Sequence, residues 1–193
     1  MLFFYPSASK NMHWLLIAIG LSISAFMSTS AIAHVKISSV TAKSSSNDRQ
    51  DRAVIDKVFV DKSERTLQLL SDDKVIKSYR IALGGNPIGH KQQQGDKRTP
   101  IGRYTLDYKN EKSKFYRSIH VSYPNAADKA RAKALGVSPG GDIMIHGQTN
   151  GRGHLASVTQ QRDWTEGCIA VTNDEMDDIM AMVELGVAIE IVE

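Results

Sequence analysis

Two segments decide how this chain is read: G-G-D-I-M-I-H-G, from Gly140 to Gly147, and D-W-T-E-G-C-I-A-V-T-N, from Asp163 to Asn173. In the first, the apolar run Ile143, Met144, Ile145 has the form of a buried strand, and it delivers His146 at its end. In the second, Gly167 precedes Cys168, the only cysteine of the protein, in a tight turn that presents a thiol. Taken singly, Cys168 reads as a small buried hydrophobe and His146 as a satisfied core histidine. Taken together they have the makings of nucleophilic catalysis. A free thiol titrates near about 8.5, so it needs a base or a charge to raise its thiolate fraction at neutral pH. Attack on a carbonyl then needs backbone N–H groups for the oxyanion, and a glycine before the nucleophile lets a substrate approach that backbone.

The pattern Ile-His-Gly, a loop, then Thr-x-Gly-Cys-Ile-x-x-x-Asn resembles the L,D-transpeptidase catalytic domain, also called the YkuD domain. His146, Gly147, Thr165, Gly167, Cys168, Ile169 and Asn173 fall on it. Upstream, G-D-K-R-T-P-I-G-R-Y from Gly95 to Tyr104 resembles the family's Thr-Pro-x-Gly element, and S-Y-P-N-A-A-D from Ser122 to Asp128 is similar to a murein-acting subgroup. The resemblance runs from Val54 to the C-terminus. It implies Cys168 as nucleophile, His146 as general base, the Gly147 carbonyl orienting the imidazole, and Gly167 in the oxyanion region. It further implies substrate contacts from Thr165, Glu166, Asn173 and Arg98. Two positions depart from the family pattern: Glu166 stands where most members have histidine, and Ala170 where they have arginine. The substrate class implied is the peptidoglycan stem peptide, attacked at the L-centre of a diamino acid to give a thioester that passes to an amine. Hydrolysis by the same site, as a carboxypeptidase or an amidase releasing a wall-linked lipoprotein, is the alternative; a non-catalytic wall-binding module is the second. No metal or organic cofactor is implied.

In an extended segment residues 166 and 168 share a face, and a carboxylate about 6 Å from a thiolate costs roughly 0.7 to 2.8 kcal/mol. Glu166 is therefore expected to turn to a cation, either Arg162 or a substrate amine, or else to point into solvent.

Residues 1 to 33 carry one charged side chain, Lys10, then an apolar run from Trp14 to Met27, and end in Ala31-Ile32-Ala33. This is the form of a signal peptide with an A-x-A cleavage site, too short in its apolar run for a span of about 20 residues. Export to the periplasm or cell envelope is expected, with no stable membrane insertion after cleavage. Residues 34 to 53, rich in Ser, Lys and Asp, read as a solvated linker. Residues 54 to 193 are the expected catalytic domain. From Ala53 onward the chain carries 19 basic and 19 acidic side chains, so nucleic-acid binding has no electrostatic footprint. One cysteine in an exported chain permits no internal disulfide, and the absence of paired CxxC or HxxxH spacing speaks against zinc.

The remaining periodicity predicts a mainly β sandwich with one or two short helices, and the resemblance implies that the sandwich is L,D-transpeptidase-like. Val58, Val60, Leu67, Leu69, Val75, Tyr79 and Ile81 suggest a meander, with a turn at Asp72-Asp73. The loop from Gly89 to Arg98 is polar and reads as a lid or a passive surface loop. A strand through Tyr104 and Leu106 is expected to turn around Asn110 to Lys114 and return through Ile119 to Tyr123, with His120 on the strand surface. Asn125 is a helix cap, Thr172 and Glu175 form a capping box, and Met176, Ile179, Met180 and Val183 sit at core spacing. Val187 to Val192 is expected to close the domain as a strand, and His154 to lie at the rim or in solvent.

Overall fold

A computed structural model describes residues 53–193; the expected signal peptide and nearly all of the linker lie outside the described residues. Eight strands form one hydrogen-bonded series in the order β3-β2-β1-β8-β4-β5-β6-β7. The meander is β1 (Lys57–Asp61), β2 (Thr66–Ser71) and β3 (Lys74–Arg80). Its period-two pattern sets the register: Val58 faces Leu69 and Val60 faces Leu67, and all four are fully buried. β3 is the edge strand, and Val75 and Ile76 stay exposed beyond a register shift at Leu69/Leu70; only Tyr79 of that strand reaches the core.

The expected closing strand, β8 (Ala188–Val192), is a central one. It pairs parallel with β1 and antiparallel with β4 (Gly102–Ser113), burying Ile189 and Ile191. β4 joins the two halves of the fold. Its first residues pair with β8, and its remainder pairs with β5 (Tyr116–Val121). The strand runs through the polar segment expected to turn, because both of its faces there meet solvent, and the hairpin closes at Lys114-Phe115 instead. β6 (Met144–His146) and β7 (Ile169–Ala170) complete the second half.

The described residues form three short helices, one more than expected. α1 (Ala126–Ala134) starts in a capping box between Asn125 and Asp128, and α3 (Asn173–Met182) in one between Thr172 and Glu175. α3 packs on β5. Met176, Ile179 and Met180 of α3 join Ile119, Val121, Ile145 and Ile169 in a common core with the meander. The additional helix, α2 (Ala156–Thr159), follows a 3-10 turn at Gly153–Leu155 in the segment read as loop. His154 in that turn is exposed. Among the described residues no helix is long and apolar enough to cross a membrane.

Candidate active site

The site is assembled where β6 and β7 run side by side. They pair in parallel with Ile145 opposite Ile169 and His146 opposite Ala170. Ile145 and Ile169 point into the core, so the alternation of a strand sends His146 and Ala170 to the other face. Extended one residue back, the same register sets Cys168 level with Met144. His146 and Cys168 therefore share a face, two residues apart along the strands.

The turn before the thiol is held by one side chain. Thr165 Oγ1 donates to the Cys168 carbonyl at 2.7 Å and accepts from the Gly167 N–H at 3.1 Å. Thr165 is buried and does not line the cavity in front of Cys168. Gly167 adopts φ 132°, and a Cβ there would lie 2.7 Å from the Arg98 carbonyl oxygen. The glycine is thus required by the backbone packed behind it rather than by a substrate in front. Its N–H is also already bonded, which leaves the Cys168 N–H as the turn's donor for an oxyanion. Arg98 contributes its carbonyl to this packing, while its guanidinium lies against Gly89 and not in the cavity.

His146 is almost fully buried, with its ring 4.6 Å from that of Phe115 and 5.6 Å from that of Trp164. Its Nδ1 lies 2.7 Å from the Gly147 carbonyl oxygen. A carbonyl can only accept, so Nδ1 carries the proton and Nε2 has a free lone pair. Burial pulls the imidazole down to about 4, against the upward pull of that carbonyl. A Cβ at Gly147 would stand 2.7 Å from Asn173 Oδ1 and 3.0 Å from Tyr116 Cβ, so the chain can pass there only as glycine. Asn173 itself accepts the Gln148 N–H at 2.8 Å and packs beneath the loop after Gly147; it does not line the cavity.

Cys168 is half-buried, and burial raises its thiol above the ordinary range, with the Met144 N–H opposing. The Sγ–H points to the Asp142 carbonyl oxygen at 3.5 Å. No hydrogen bond links it to the His146 ring among the described residues. The resting pair is a neutral thiol and a neutral imidazole.

In front of the sulfur lies a cavity of about 380 Å³, lined by Lys91, Gln94, Gly140, Asp142, Glu166 and Cys168 among others. Glu166 does turn to a cation, but the partner is Lys97 at 3.3 Å rather than Arg162. Both side chains are well exposed, so the pair adds little to stability. Lys91, Lys97 and Asp142 were not singled out from sequence: residue type alone does not distinguish two lysines of a polar loop from the other surface cations. That loop is laced by its own hydrogen bonds. Asp96 accepts from Lys91 Nζ and from the Gln92, Gln93 and Arg98 N–H groups, and the Gln94 N–H bonds the Ser138 carbonyl. Ala170, in place of the family's arginine, is fully buried, and its carbonyl accepts the Gln160 amide. Among the described residues no group of three His, Cys, Asp or Glu side chains could hold a metal.

Comparison with known proteins fits this geometry. The family model for the L,D-transpeptidase catalytic domain (YkuD) matches residues 55–191. A protein of Escherichia coli (strain K12), provisionally named L,D-transpeptidase YafK, is 32% identical over 128 residues, covering 63% of this chain and 44% of that protein. The crystal structure of the helical cell shape determining protein Pgp2 from Campylobacter jejuni superposes with a TM-score of 0.56 at 25% identity, over 72% of this chain and 48% of that one. Bd1075 from Bdellovibrio bacteriovorus shares the fold, with a TM-score of 0.53 at 23% identity over 74% of this chain and 49% of that one. The chain thus spans about half the length of these relatives. It belongs to the L,D-transpeptidase catalytic domain (YkuD) family.

Proposed function

We propose that this chain is an exported cysteine acyltransferase that acts on peptidoglycan stem peptides in the cell envelope. The observation that carries the reading is the tautomer of His146: Nδ1–H is spent on the Gly147 carbonyl, so the basic Nε2 is left on the face that carries Cys168. The sulfur attacks the carbonyl at the L-centre of the diamino acid in the stem, and its proton passes to Nε2. The carbonyl oxygen takes up negative charge against the Cys168 N–H. Collapse of the adduct breaks the amide bond, the terminal residue leaves as an amine with the proton from Nε2, and a thioester remains on Cys168. An acceptor amine then resolves the thioester to a crosslink.

A burial-lowered imidazole favours this order of events. With His146 held near 4 and the thiol raised, no standing thiolate is exposed to oxidants in the envelope, and deprotonation accompanies attack. A cell-wall role is consistent with Pgp2, whose name makes it a cell-shape determinant. Hydrolysis of the same thioester by water is the second reading, favoured by the polar lining that Gln94, Asp142 and Glu166 give the cavity. Incubating the protein with purified muropeptides, with and without an added amine, separates the two. A crosslinked product of added mass supports transfer. A shortened stem alone supports hydrolysis, and unchanged muropeptides contradict both.

A further inference from the structure

The cavity in front of Cys168 contains a buried cation with an unspent donor. The side chain of Lys91 is 3% exposed, yet it lines the same cavity as the sulfur. Its Nζ donates to Asp96 Oδ1 at 2.8 Å and to the Gln93 carbonyl at 3.2 Å. An ammonium has three N–H bonds, so one is left without a protein acceptor.

Asp96 does not neutralise this charge completely. Its Oδ1 also accepts the Arg98 N–H, and its Oδ2 accepts the N–H groups of Gln92 and Gln93. A carboxylate offers about four acceptor positions, and all are taken, three of them by amides that carry their own partial positive charge. Burial raises the Asp96 carboxyl, but the Lys91 and backbone bonds outweigh it and hold the group below its usual range, so it stays ionised. Behind the part of the cavity wall that Lys91 lines, a nest of donors closes around one anion, Asp96, and one ammonium hydrogen of Lys91 has no protein acceptor. Burial and the Asp142 carboxylate, which also lines the cavity, raise the Cys168 thiol, and the Lys91 charge is close enough to oppose them in part. Burying an ammonium is expensive unless it is paired, and a polar loop of this kind offers solvent in every other direction. The loop instead turns Lys91 inward and ties itself to Ser138 beside the site.

We propose that Lys91 is a specificity-determining residue that receives a carboxylate of the substrate beside Cys168. The inference rests on the acyl-transfer reading for the identity of the substrate, but not for the anion site itself. Two carboxylates of a stem peptide have this chemistry: the one that ends the stem, one residue beyond the scissile carbonyl, and the one on the side chain of a diamino diacid. The first lies about three bonds from the carbonyl that the sulfur attacks and the second about six, at the far end of the diamino diacid side chain. Of the two carboxylates on the same cavity, Glu166 is paired with Lys97, and neither it nor Asp142 bonds Lys91.

The test uses two thiol reagents that differ only in charge. Iodoacetate and iodoacetamide alkylate the same sulfur by the same displacement of iodide, so their rate ratio cancels any change in thiol acidity. In the wild type the ratio of iodoacetate to iodoacetamide should exceed that of free cysteine, and in Lys91→Gln it should fall by about tenfold. Lys91→Arg, which keeps the charge, should hold most of the preference. A ratio equal to that of free cysteine in the wild type overturns the proposal, whether or not the variants fold. The substrate arm compares acylation of the wild-type protein by stem tetrapeptides amidated at one carboxylate or the other. Amidation of one should slow acylation about tenfold and so identify the group that Lys91 holds. Equal rates for the free and both amidated peptides would also overturn it. Absence of any adduct with a preserved reagent ratio would instead count against the acyl-transfer reading alone.

Discussion

His146 and Cys168 stand on one face of two parallel strands, two residues out of step, and in the resting protein they are not hydrogen-bonded to each other. The ring is fixed by the Gly147 carbonyl on one side, by Phe115 tilted against it and by Trp164 in a T-shaped contact, while the sulfur turns to the Asp142 carbonyl. The base is held firmly, and the nucleophile has one side-chain torsion free to move. Catalytic contacts that are long in a resting site commonly tighten when substrate arrives.

Such a pair should show its neutrality in reactivity. Alkylation of Cys168 by iodoacetamide is expected to rise with pH through an apparent pKa above the ordinary thiol value of about 8.5, since burial raises the thiol. A rate that is already flat between pH 6 and 8 would indicate a thiolate–imidazolium pair instead. Stopped reactions followed by intact mass give the profile directly.

Folding stability should depend on His146 as well. The imidazole titrates near 6.5 when unfolded and near 4 when folded. Between those values the unfolded chain binds the extra proton. Stability from this group is complete above about pH 6.5, falls as the pH drops toward 4, and levels off below; the loss totals on the order of 3 kcal/mol. Urea denaturation from pH 7 to 4 measures it, and His146→Phe should flatten that part of the curve.

Thr165 is expected to act through the backbone. Thr165→Val keeps the shape and removes both bonds that close the turn, one to the Cys168 carbonyl and one from the Gly167 N–H. A loss of about 1 to 3 kcal/mol is expected, because a buried donor and acceptor are left unpaired. Alkylation of Cys168 should become faster as the turn loosens. An unchanged denaturation midpoint would show that solvent replaces the hydroxyl.

Asn173 separates a structural role from a substrate-binding one. Its side chain accepts the Gln148 N–H below the Gly147 loop. Asn173→Ala should therefore cost about 1 kcal/mol in stability and leave KM for stem peptides within about twofold. A large rise in KM with stability untouched would return Asn173 to the substrate.

What could be read from the chain alone was the chemistry carried by neighbours in sequence. Thr172 and Glu175 are three residues apart, and Gly167 adjoins Cys168, so their partnership is fixed by local geometry. The first two strands of the meander were legible for the same reason, with a short turn and a regular alternation, whereas the register shift that leaves Val75 and Ile76 of β3 exposed was not. The central place of β8 was not, because its pairing with β1 joins segments more than a hundred residues apart, and nothing in Ala188–Val192 distinguishes a central strand from a closing one. Lys91 and Lys97 were hidden likewise. Lys91 is set apart by Asp96 gathering four donors, and Lys97 by the arrival of Glu166 from a distant turn. Asn173 was legible only as part of a catalytic motif; its bond to the Gln148 N–H joins it to a loop 25 residues away, a contact that sequence spacing does not show.

The most direct test of a His146-assisted Cys168 nucleophile is intact-mass spectrometry of the protein mixed with a tetrapeptide stem, sampled over time. The wild type should gain the mass of the stem less its terminal residue, mapped to Cys168, while Cys168→Ala gains none and His146→Gln gains it at least about a hundredfold more slowly. Adduct formation at equal rates in the wild type and His146→Gln, or no adduct on a thiol that iodoacetamide still alkylates, would contradict it.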